Sequence, residues 1–211
     1  MIVTLSGITG TGKSFFKDVI YKELNFKNLA IVTTRMKRKN EVNGIDKEFV
    51  DEIKFEQLKK EGKIVVDFEF LGAKYAYRKE KLLSDANQVT ELHYSTIYEF
   101  EKYVKNIFSI YVIPFDIERA KQELKNRNLP FEVEKQRLKE IEEHIKEYSR
   151  NQELQKQFDY VFVNDYTEKS KNKLLQIIKE QIKKEEGNDE KKSNSGKLEN
   201  EYASWRNNRI Y

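Results

Sequence analysis

Residues 7–14 are the part of this chain with the clearest chemical meaning. They read Gly-Ile-Thr-Gly-Thr-Gly-Lys-Ser, which fits the pattern G-x-x-x-x-G-K-[ST] at every fixed position. Such glycines leave room for backbone N–H groups to face phosphate oxygens, and a following helix N-terminus favours anions. In this pattern Lys13 reaches the outer phosphates of a nucleotide, and the Ser14 hydroxyl helps to hold Mg²⁺. The segment predicts a nucleotide phosphate site; the alternative is an ordinary glycine turn.

A second group of charged residues follows at 34–39, which read TRMKRK, four cations in six residues. Arg35 and Arg38 are three apart on a predicted loop, and two arginines so placed can clamp a phosphate with bidentate hydrogen bonds. A nucleoside monophosphate held there would face the terminal phosphate of ATP, the arrangement that in-line phosphoryl transfer requires. The alternative is a solvated basic loop, and position alone does not separate the two.

The segments that must position these residues alternate between strand-like and helix-like patterns. Ile2–Ser6 is a predicted strand and Phe15–Leu24 a predicted helix, so residues 7–14 join a strand to a helix. Asp51 is placed to cap a helix that Gly62 ends. Further strands are predicted at 29–33, 64–70, 75–77, 89–93, 107–113 and 160–163, and further helices at 78–87, 96–104, 116–126, 131–158 and 167–184. This alternation predicts an α/β fold with a parallel central sheet, helices on both faces, and ligands beyond the carboxyl ends of the strands.

The composition excludes several classes of protein. The chain has 211 residues and no cysteine, so one substantial core is expected and disulfides and thiolate metal sites are excluded. A net charge of +4 among 36% charged residues is weak evidence for nucleic-acid binding, and no nucleic-acid partner is predicted. No apolar run approaches membrane-spanning length and no signal peptide is expected, which predicts a cytoplasmic protein without membrane contact.

The last residues differ in composition from the rest. Residues 187–197 are rich in Asn, Ser, Gly and charge, which predicts a flexible linker. Leu198, Tyr202 and Trp205 then follow at i, i+4 and i+7. This spacing fits either a disordered tail or a short helix that docks on the body or on a partner.

Residues 33–50 carry a resemblance to a known family. They read TTRMKRKNEVNGIDKEFV and strongly resemble the substrate-binding segment of guanylate kinases, T-T-R-x-x-R-x-x-E-x-x-G-x-D-[YF]-x-F. The glycine segment also looks like the form found in that family, and Tyr160–Asp165 resembles its V-x-N-[DS] strand end. The resemblance covers about residues 1–184. It implies a domain at 1–186 with a P-loop three-layer sandwich, a small β-rich monophosphate-binding insertion at about 34–78 and a helical lid at about 127–150.

The resemblance also implies an activity, the ATP-dependent phosphorylation of a nucleoside monophosphate, most simply GMP or dGMP, with Mg²⁺, in a monomer or homodimer. The implied catalytic residues are Lys13, Arg35, Arg127 and Arg137. The implied ATP-binding residues are Gly7, Thr9, Gly10, Thr11, Gly12, Lys13, Ser14, Phe15 and Asn164, with Ser14 as the metal ligand. The implied acceptor-binding residues are Thr34, Arg35, Arg38, Glu41, Lys47, Tyr75 and Glu91.

The chain departs from the family pattern mainly around the acceptor. Lys47 stands where the family has a tyrosine, and Glu123 aligns with the first lid arginine. The family carboxylate that accepts hydrogen bonds from guanine aligns with Val66, whose neighbours include Asp67 and Glu69. A shift of one residue along a strand changes the face presented, so Asp67 replaces that carboxylate only if the strand carries a bulge.

Two other functions stay open at this point. A kinase of another phosphorylated small molecule, such as a sugar phosphate, would combine retained arginines with altered base contacts. A protein-interaction module without catalysis, which some guanylate kinase-like domains are, typically has an eroded glycine loop, whereas the loop at 7–14 is complete.

Overall fold

The computed structural model describes residues 1–39 and 41–188. The strands are β1 (Ile2–Ser6), β2 (Lys27–Asn28), β3 (Ile31–Thr33), β4 (Lys47–Phe49), β5 (Ile64–Phe70), β6 (Ala73–Arg78), β7 (Gln88–Glu91), β8 (Ile107–Pro114) and β9 (Tyr160–Asn164). The helices are α1 (Lys13–Glu23), α2 (Glu52–Lys60), α3 (Lys79–Leu82), α4 (Ile97–Glu101), α5 (Ile117–Lys125), α6 (Phe131–Arg150), α7 (Gln152–Lys156) and α8 (Glu168–Asn188), with a 3₁₀ turn at Tyr94–Thr96.

A five-stranded sheet has the strand order β2-β7-β1-β8-β9. The β2–β7 and β8–β9 pairs are parallel. Every residue of β1 is buried, as expected for a strand covered by helices on both faces. The mostly parallel sheet with flanking helices confirms the α/β fold predicted from the alternation of elements.

Contacts divide the chain into two compact units. The first holds Met1–Thr4 and Ile20–Ile107, and the second holds Leu5–Val19 and the described residues from Phe108 onward. The first unit contains a four-stranded sheet in the order β4-β3-β6-β5. One core, around Tyr77 and Phe100, includes residues of β3, β5 and β6; a second, around Phe55 and Leu58, joins α2 to the same sheet.

Strand β5 carries a bulge. Val65 pairs with Tyr77 and Phe68 pairs with Tyr75, so two residues of β5 lie opposite the single residue Ala76. Val66 has a φ of 55°, a left-handed conformation that is unusual for a β-branched residue. A bulge of this kind changes which side chains face each side of the sheet.

In the second unit, α5 and α6 pack on the loop that follows β1. Ile8, Leu124 and Ile141 form a buried cluster, and Leu138 packs against it. Helix α5 begins at a cap, because the Asp116 side chain accepts a hydrogen bond from the Glu118 N–H. The cap that the sequence predicts at Asp51 is also present, since its side chain accepts from the Lys54 N–H.

Some elements differ from the sequence expectations. The helix predicted over 78–87 is limited to Lys79–Leu82. The strand Lys47–Phe49 was not predicted, because its three half-buried residues show no alternation of apolar and polar side chains. The two alternatives for the segment around Trp205, a disordered tail or a docking helix, concern residues outside those that the structure describes. None of the described helices is long and apolar enough to cross a membrane.

Candidate functional site

Three glycines of the loop after β1 have positive φ angles, 131° at Gly7, 86° at Gly10 and 85° at Gly12. A Cβ atom at Gly7 would lie 2.1 Å from the Val112 carbonyl oxygen, and one at Gly10 would lie 2.3 Å from the Ala120 carbonyl oxygen. Neither backbone contact can relax easily, so both positions require glycine. The loop therefore has a close backbone packing that only glycine allows at these two positions.

Side chains of the loop fix its shape from within. The Lys13 ammonium donates to the carbonyl oxygens of Gly7 at 2.8 Å and of Ile8 at 2.5 Å. The buried Thr11 hydroxyl donates to the Ile8 carbonyl oxygen at 3.0 Å. Ser14 is exposed in the first turn of α1, and the Phe15 ring next to it is half exposed. Lys13 is thus held across the loop, where an ammonium group suits phosphate oxygens.

Two residues at the end of β9 support the loop. The buried Asn164 amide donates to the Thr11 carbonyl oxygen at 3.0 Å, and its oxygen accepts from the Tyr166 N–H at 2.9 Å. The Tyr166 hydroxyl donates to the Gly10 carbonyl oxygen at 3.0 Å. The family resemblance implies Asn164 for the ATP site, whereas Tyr166 belongs to no sequence motif and was not predicted.

A shallow depression of about 290 Å³ lies beside these supports. Its lining consists of Phe115, Asp116, Arg119, Asp165 and Tyr166. The Arg119 guanidinium lies over the Tyr166 ring, 5.6 Å from its centroid, and pairs with Glu123 at 2.9 Å. Flat cationic and aromatic surfaces of this kind suit a nucleobase.

The two arginines predicted for the lid differ in environment. Arg127 is exposed just after α5, whereas Arg137 is half-buried on α6, next to Leu138 of the cluster that contacts Ile8. Burial raises the pKa of the nearby Glu140 carboxyl above its ordinary value, and the charge of Arg137 offsets part of that rise. Arg137 therefore lies on a helix that packs directly on the glycine loop.

In the first unit, Glu41 organises the arginine segment. The Glu41 carboxylate accepts from the Arg35 guanidinium at 2.7 Å and from the Arg38 N–H at 2.8 Å. Burial alone would raise the pKa of Glu41, but hydrogen bonds from Arg35 and Arg38 and the charges of both arginines outweigh it and lower that pKa. Glu41 is therefore an anion that orients Arg35, while the Arg38 side chain is exposed.

Thr34 directly follows β3 and Tyr75 lies in β6, the two inner strands of the four-stranded sheet. The Thr34 N–H donates to the Lys74 carbonyl oxygen and the Thr34 hydroxyl oxygen accepts from the Lys74 N–H, both at 3.0 Å. The nearly buried Tyr75 ring stacks on Phe68, with centroids 5.2 Å apart. Lys47 is half-buried at the start of β4, where it pairs with Ile31.

Glu91 ends β7, where its carbonyl oxygen accepts from the Tyr77 hydroxyl at 2.7 Å. Burial raises the pKa of Tyr77 well above its ordinary value, and the negative charge of Glu91 adds to that rise. Tyr77 therefore stays a neutral donor that ties the four-stranded sheet to the end of β7.

The two carboxylates that neighbour Val66 point away from Tyr75. Asp67 pairs with Lys59 of α2 at 2.5 Å. Glu69 pairs in register with Lys74, whose ammonium contacts Glu52 and Glu56 of α2. The bulge is present, yet it leaves Asp67 on the α2 side of the sheet, so neither carboxylate shares a face with Tyr75.

Ser14 is suited to the metal that the loop predicts. Among residues 1–39 and 41–188, no three His, Cys, Asp or Glu side chains cluster in a way that could hold a metal ion. Mg²⁺ commonly takes one or two protein oxygens together with water and substrate phosphates. An exposed hydroxyl at the start of α1 fits that requirement.

Comparison with known proteins agrees with this geometry. A sequence model described as "Guanylate kinase" matches residues 1–181. A guanylate kinase of Listeria innocua is 28% identical over 184 residues, covering 84% of this chain and 87% of the relative. One from Malacoplasma penetrans is 27% identical over 190 residues, covering 86% and 93%.

A solved structure shares the fold. The crystal structure of guanylate kinase from Anaplasma phagocytophilum has a TM-score of 0.65 at 22% identity, covering 86% of this chain and 85% of the other. The family match spans most of the chain and includes both the glycine loop and the arginine segment. This chain therefore belongs to the guanylate kinase family of nucleoside monophosphate kinases.

Proposed function

We propose that this chain transfers the γ-phosphoryl group of ATP to GMP or dGMP, forming ADP and the corresponding diphosphate. The observation that carries the proposal is the presence of two phosphate-binding arrangements in one chain of this family. One is the glycine loop with Lys13, and the other is the arginine segment that Glu41 orients. Phosphoryl transfer needs one site for the donor and one for the acceptor.

On the donor side, residues 7–14 bind the phosphates of ATP. Backbone N–H groups contact the phosphate oxygens, and Lys13 moves from its two loop carbonyls to the outer phosphates. The Ser14 hydroxyl would hold Mg²⁺, which neutralises phosphate charge when bound. Thr9, Phe15 and Asn164 complete the ATP site. The adenine base of ATP is assigned to the depression lined by Arg119 and Tyr166.

On the acceptor side, Arg35 and Arg38 hold the monophosphate. Arg35 contributes a guanidinium already fixed by Glu41, so little side-chain freedom is lost when phosphate binds. Tyr75 makes no hydrogen bond through its hydroxyl within the described parts of the chain, and we assign that hydroxyl to the same phosphate. Thr34, Lys47 and Glu91 are assigned to the surroundings of the acceptor.

Arg127 and Arg137 belong to a lid at about residues 127–150. They supply positive charge to the transferring group, and the lid excludes water during transfer. The acceptor-binding insertion corresponds to residues 34–78, within a domain ending near residue 186. We further propose that the protein works in the cytoplasm as a monomer or homodimer, without a nucleic-acid partner.

The two other functions have less support. The family relatives are guanylate kinases, which favours a nucleotide over a sugar phosphate as acceptor. A module without catalysis would not need three glycines at positive φ angles around a lysine. The complete loop favours catalysis.

A coupled assay of ADP release with ATP and GMP tests the proposal. Lys13→Ala and Arg35→Ala should each lower kcat/KM at least about 100-fold, since each removes charge-assisted contacts to phosphate. Lys22→Ala, which removes an exposed lysine at the end of α1, should leave kcat/KM unchanged. If the wild type binds ATP but phosphorylates no nucleoside monophosphate, the proposed function is wrong.

A further inference from the structure

A compact turn of residues 42–46, which we call the Val42 turn, lies between the arginine segment and β4. The N–H groups of Ile45 and Asp46 donate to the Val42 carbonyl oxygen at 3.2 and 3.0 Å. The Val42 N–H donates in return to the Asp46 carboxylate at 2.6 Å. These bonds are internal, so they fix the shape of the turn but not its place on the protein.

Burial does little to hold the Val42 turn in place. Its two large apolar side chains are mostly in solvent, since Val42 is 52% exposed and Ile45 is 61% exposed. Side chains that stay this accessible bury little apolar surface and contribute little to stability. Strand β4 fixes the chain that follows the turn, through the pair of Lys47 with Ile31. The position of the turn itself therefore depends on hydrogen bonds.

One hydrogen bond ties the Val42 turn to the edge of the five-stranded sheet. The side-chain amide of Asn28 donates to the Ile45 carbonyl oxygen. Within residues 1–39 and 41–188, this is the only hydrogen bond that joins residues 42–46 to a residue outside 35–49. Asn28 is therefore the contact that sets where the turn lies.

The backbone of Asn28 is itself firmly held. Asn28 pairs with Val89 of the neighbouring strand β7. The N–H groups on either side of it, those of Lys27 and Leu29, donate to the carbonyl oxygens of Asn87 and Val89 at 2.8 and 2.9 Å. Because Val89 and Leu29 are buried in the protein core, Asn28 offers the turn a fixed point of attachment.

The Asn28 amide is not explained by stability alone. Its oxygen, Oδ1, is buried and has no hydrogen-bond partner in the described parts of the chain. A buried acceptor without a partner costs free energy, which an apolar side chain at this position would avoid. Exchanging the two ends of the amide would place Oδ1 against the Ile45 carbonyl oxygen, where two acceptors repel. The residue thus leaves one group unpaired and keeps the bond to Ile45.

The Val42 turn is joined directly to the residue that orients Arg35. Val42 follows Glu41, whose carboxylate accepts from the Arg35 guanidinium at 2.7 Å and from the Arg38 N–H at 2.8 Å. The Glu41 carbonyl oxygen also accepts from the Lys37 ammonium at 3.0 Å. A displacement of the turn therefore moves Glu41, and with it the Arg35 guanidinium.

We propose that Asn28 is a positioning residue for the acceptor phosphate. Its amide holds the Val42 turn, the turn holds Glu41, and Glu41 orients Arg35. The inference rests on the proposed function, because it takes Arg35 to bind that phosphate. A group that is fixed before binding loses less conformational freedom when its ligand arrives. Loss of the Asn28 bond should therefore weaken binding of the acceptor and leave the donor site as it is.

A pair of substitutions at Asn28 tests this role through the Michaelis constants of the two substrates. Asn28→Asp keeps the shape of the side chain but replaces the donating NH₂ group by oxygen, and Asn28→Ala removes the amide. Each should raise KM for GMP about fivefold, the effect of one net hydrogen bond, with KM for ATP and kcat changed less than about twofold. Asn87→Asp makes the same chemical change at an exposed side chain that accepts from the N-terminal ammonium, and it should leave all three constants unchanged.

A double-mutant cycle tests the route from Asn28 to Arg35. If Asn28 and Glu41 act on the same arginine, the rise in KM for GMP in Asn28→Ala combined with Glu41→Gln should be smaller than the product of the two single effects. Effects that multiply fully would show that Asn28 does not act through Glu41, and would overturn the inference.

The remaining outcomes separate this inference from the proposed function. With a wild type that phosphorylates GMP, an unchanged KM for GMP in both Asn28 variants overturns the positioning role and leaves the kinase function intact. An equal rise in KM for GMP and ATP, or a lower Tm with both constants unchanged, also overturns it, because either assigns Asn28 to general folding. If Asn28→Asp does not fold, Asn28→Ala decides the matter. Absence of turnover with every nucleoside monophosphate in the wild type overturns both.

Discussion

The Tyr166 hydroxyl donates a hydrogen bond to the Gly10 carbonyl oxygen across 156 positions of sequence. Tyr166 itself has a φ of 63°, a left-handed conformation that is uncommon outside glycine. Its ring lies under Arg119 in the depression assigned to the base of ATP. One side chain thus joins that depression to the loop proposed to bind the phosphates.

Removing only this hydroxyl should weaken ATP binding. A net hydrogen bond contributes about 1 kcal/mol, so Tyr166→Phe should raise KM for ATP about fivefold while kcat changes less. Tyr98→Phe, at an exposed position on α4, should leave KM unchanged. An unchanged KM in Tyr166→Phe would show that the loop holds its shape without this contact.

Adding one methyl group to the loop should damage it far more than the same change elsewhere. Gly10→Ala places a Cβ 2.3 Å from the Ala120 carbonyl oxygen, whereas Gly62→Ala, also at positive φ, meets no atom within 4 Å. Both variants carry about 1–2 kcal/mol of backbone strain, but only Gly10→Ala displaces the loop. Calorimetric titration with ATP should show tight binding in Gly62→Ala and a loss of at least about tenfold in Gly10→Ala. Equal affinities would contradict the steric argument.

Glu41 should act through Arg35. Glu41→Gln keeps the shape of the side chain but weakens a charge-assisted hydrogen bond of about 1.5–3 kcal/mol. We expect KM for GMP to rise about tenfold with KM for ATP unchanged, because the Glu41 carboxylate accepts from Arg35 and Arg38 of the proposed acceptor segment. Glu69→Gln, on the α2 side of the same sheet, should behave like the wild type. A fall in kcat alone would instead assign Glu41 to the chemical step.

The ion pair between Arg78 and Glu48 should make stability depend on pH. The hydrogen bond from Arg78 lowers the pKa of Glu48 below its ordinary value of 4.5, against the opposing effect of burial. A carboxyl with a lowered folded-state pKa adds stability above its ordinary value and loses it as pH falls through the lowered value.

Urea unfolding of the wild type and of Glu48→Gln measures this effect. The variant should be less stable by about 1–3 kcal/mol near neutral pH, and the difference should shrink as pH falls below 4.5. Glu99→Gln, which removes an exposed pair with Lys102, should change stability little at any pH. A difference that is constant with pH would show that the loss comes from packing rather than from the charge of Glu48.

Local features were predictable where neighbours in the sequence decide them. The caps at Asp51 and Asp116 were predicted from residue type and formed as expected, since a cap bonds to N–H groups two or three residues away. The prediction of a helix over residues 78–87 was wrong in length, because only Lys79–Leu82 is helical. The spacing of residue types over 78–87 does not indicate that the helix ends at Leu82.

Contacts between distant segments were not predictable in the same way. Tyr166 matches no motif, and its bond to Gly10 exists only because β9 ends beside the loop after β1. Strand β4 has three residues, too few for a periodic signal, yet it contributes Phe49, whose ring lies 5.3 Å from the Arg35 guanidinium.

The sequence by itself predicts the phosphate chemistry, because residues 7–14 and the arginines at 35 and 38 lie at short spacings that the backbone converts directly into geometry. The tertiary structure decided which side chain of β5 shares a face with Tyr75, a residue proposed for the acceptor site. Asp67, Phe68 and Glu69 are adjacent in sequence, and one bulge determines which of them shares a face with Tyr75. Side chains along a strand alternate between its two faces. A single extra residue in β5 therefore places the Phe68 ring, rather than the Asp67 carboxylate, opposite Tyr75.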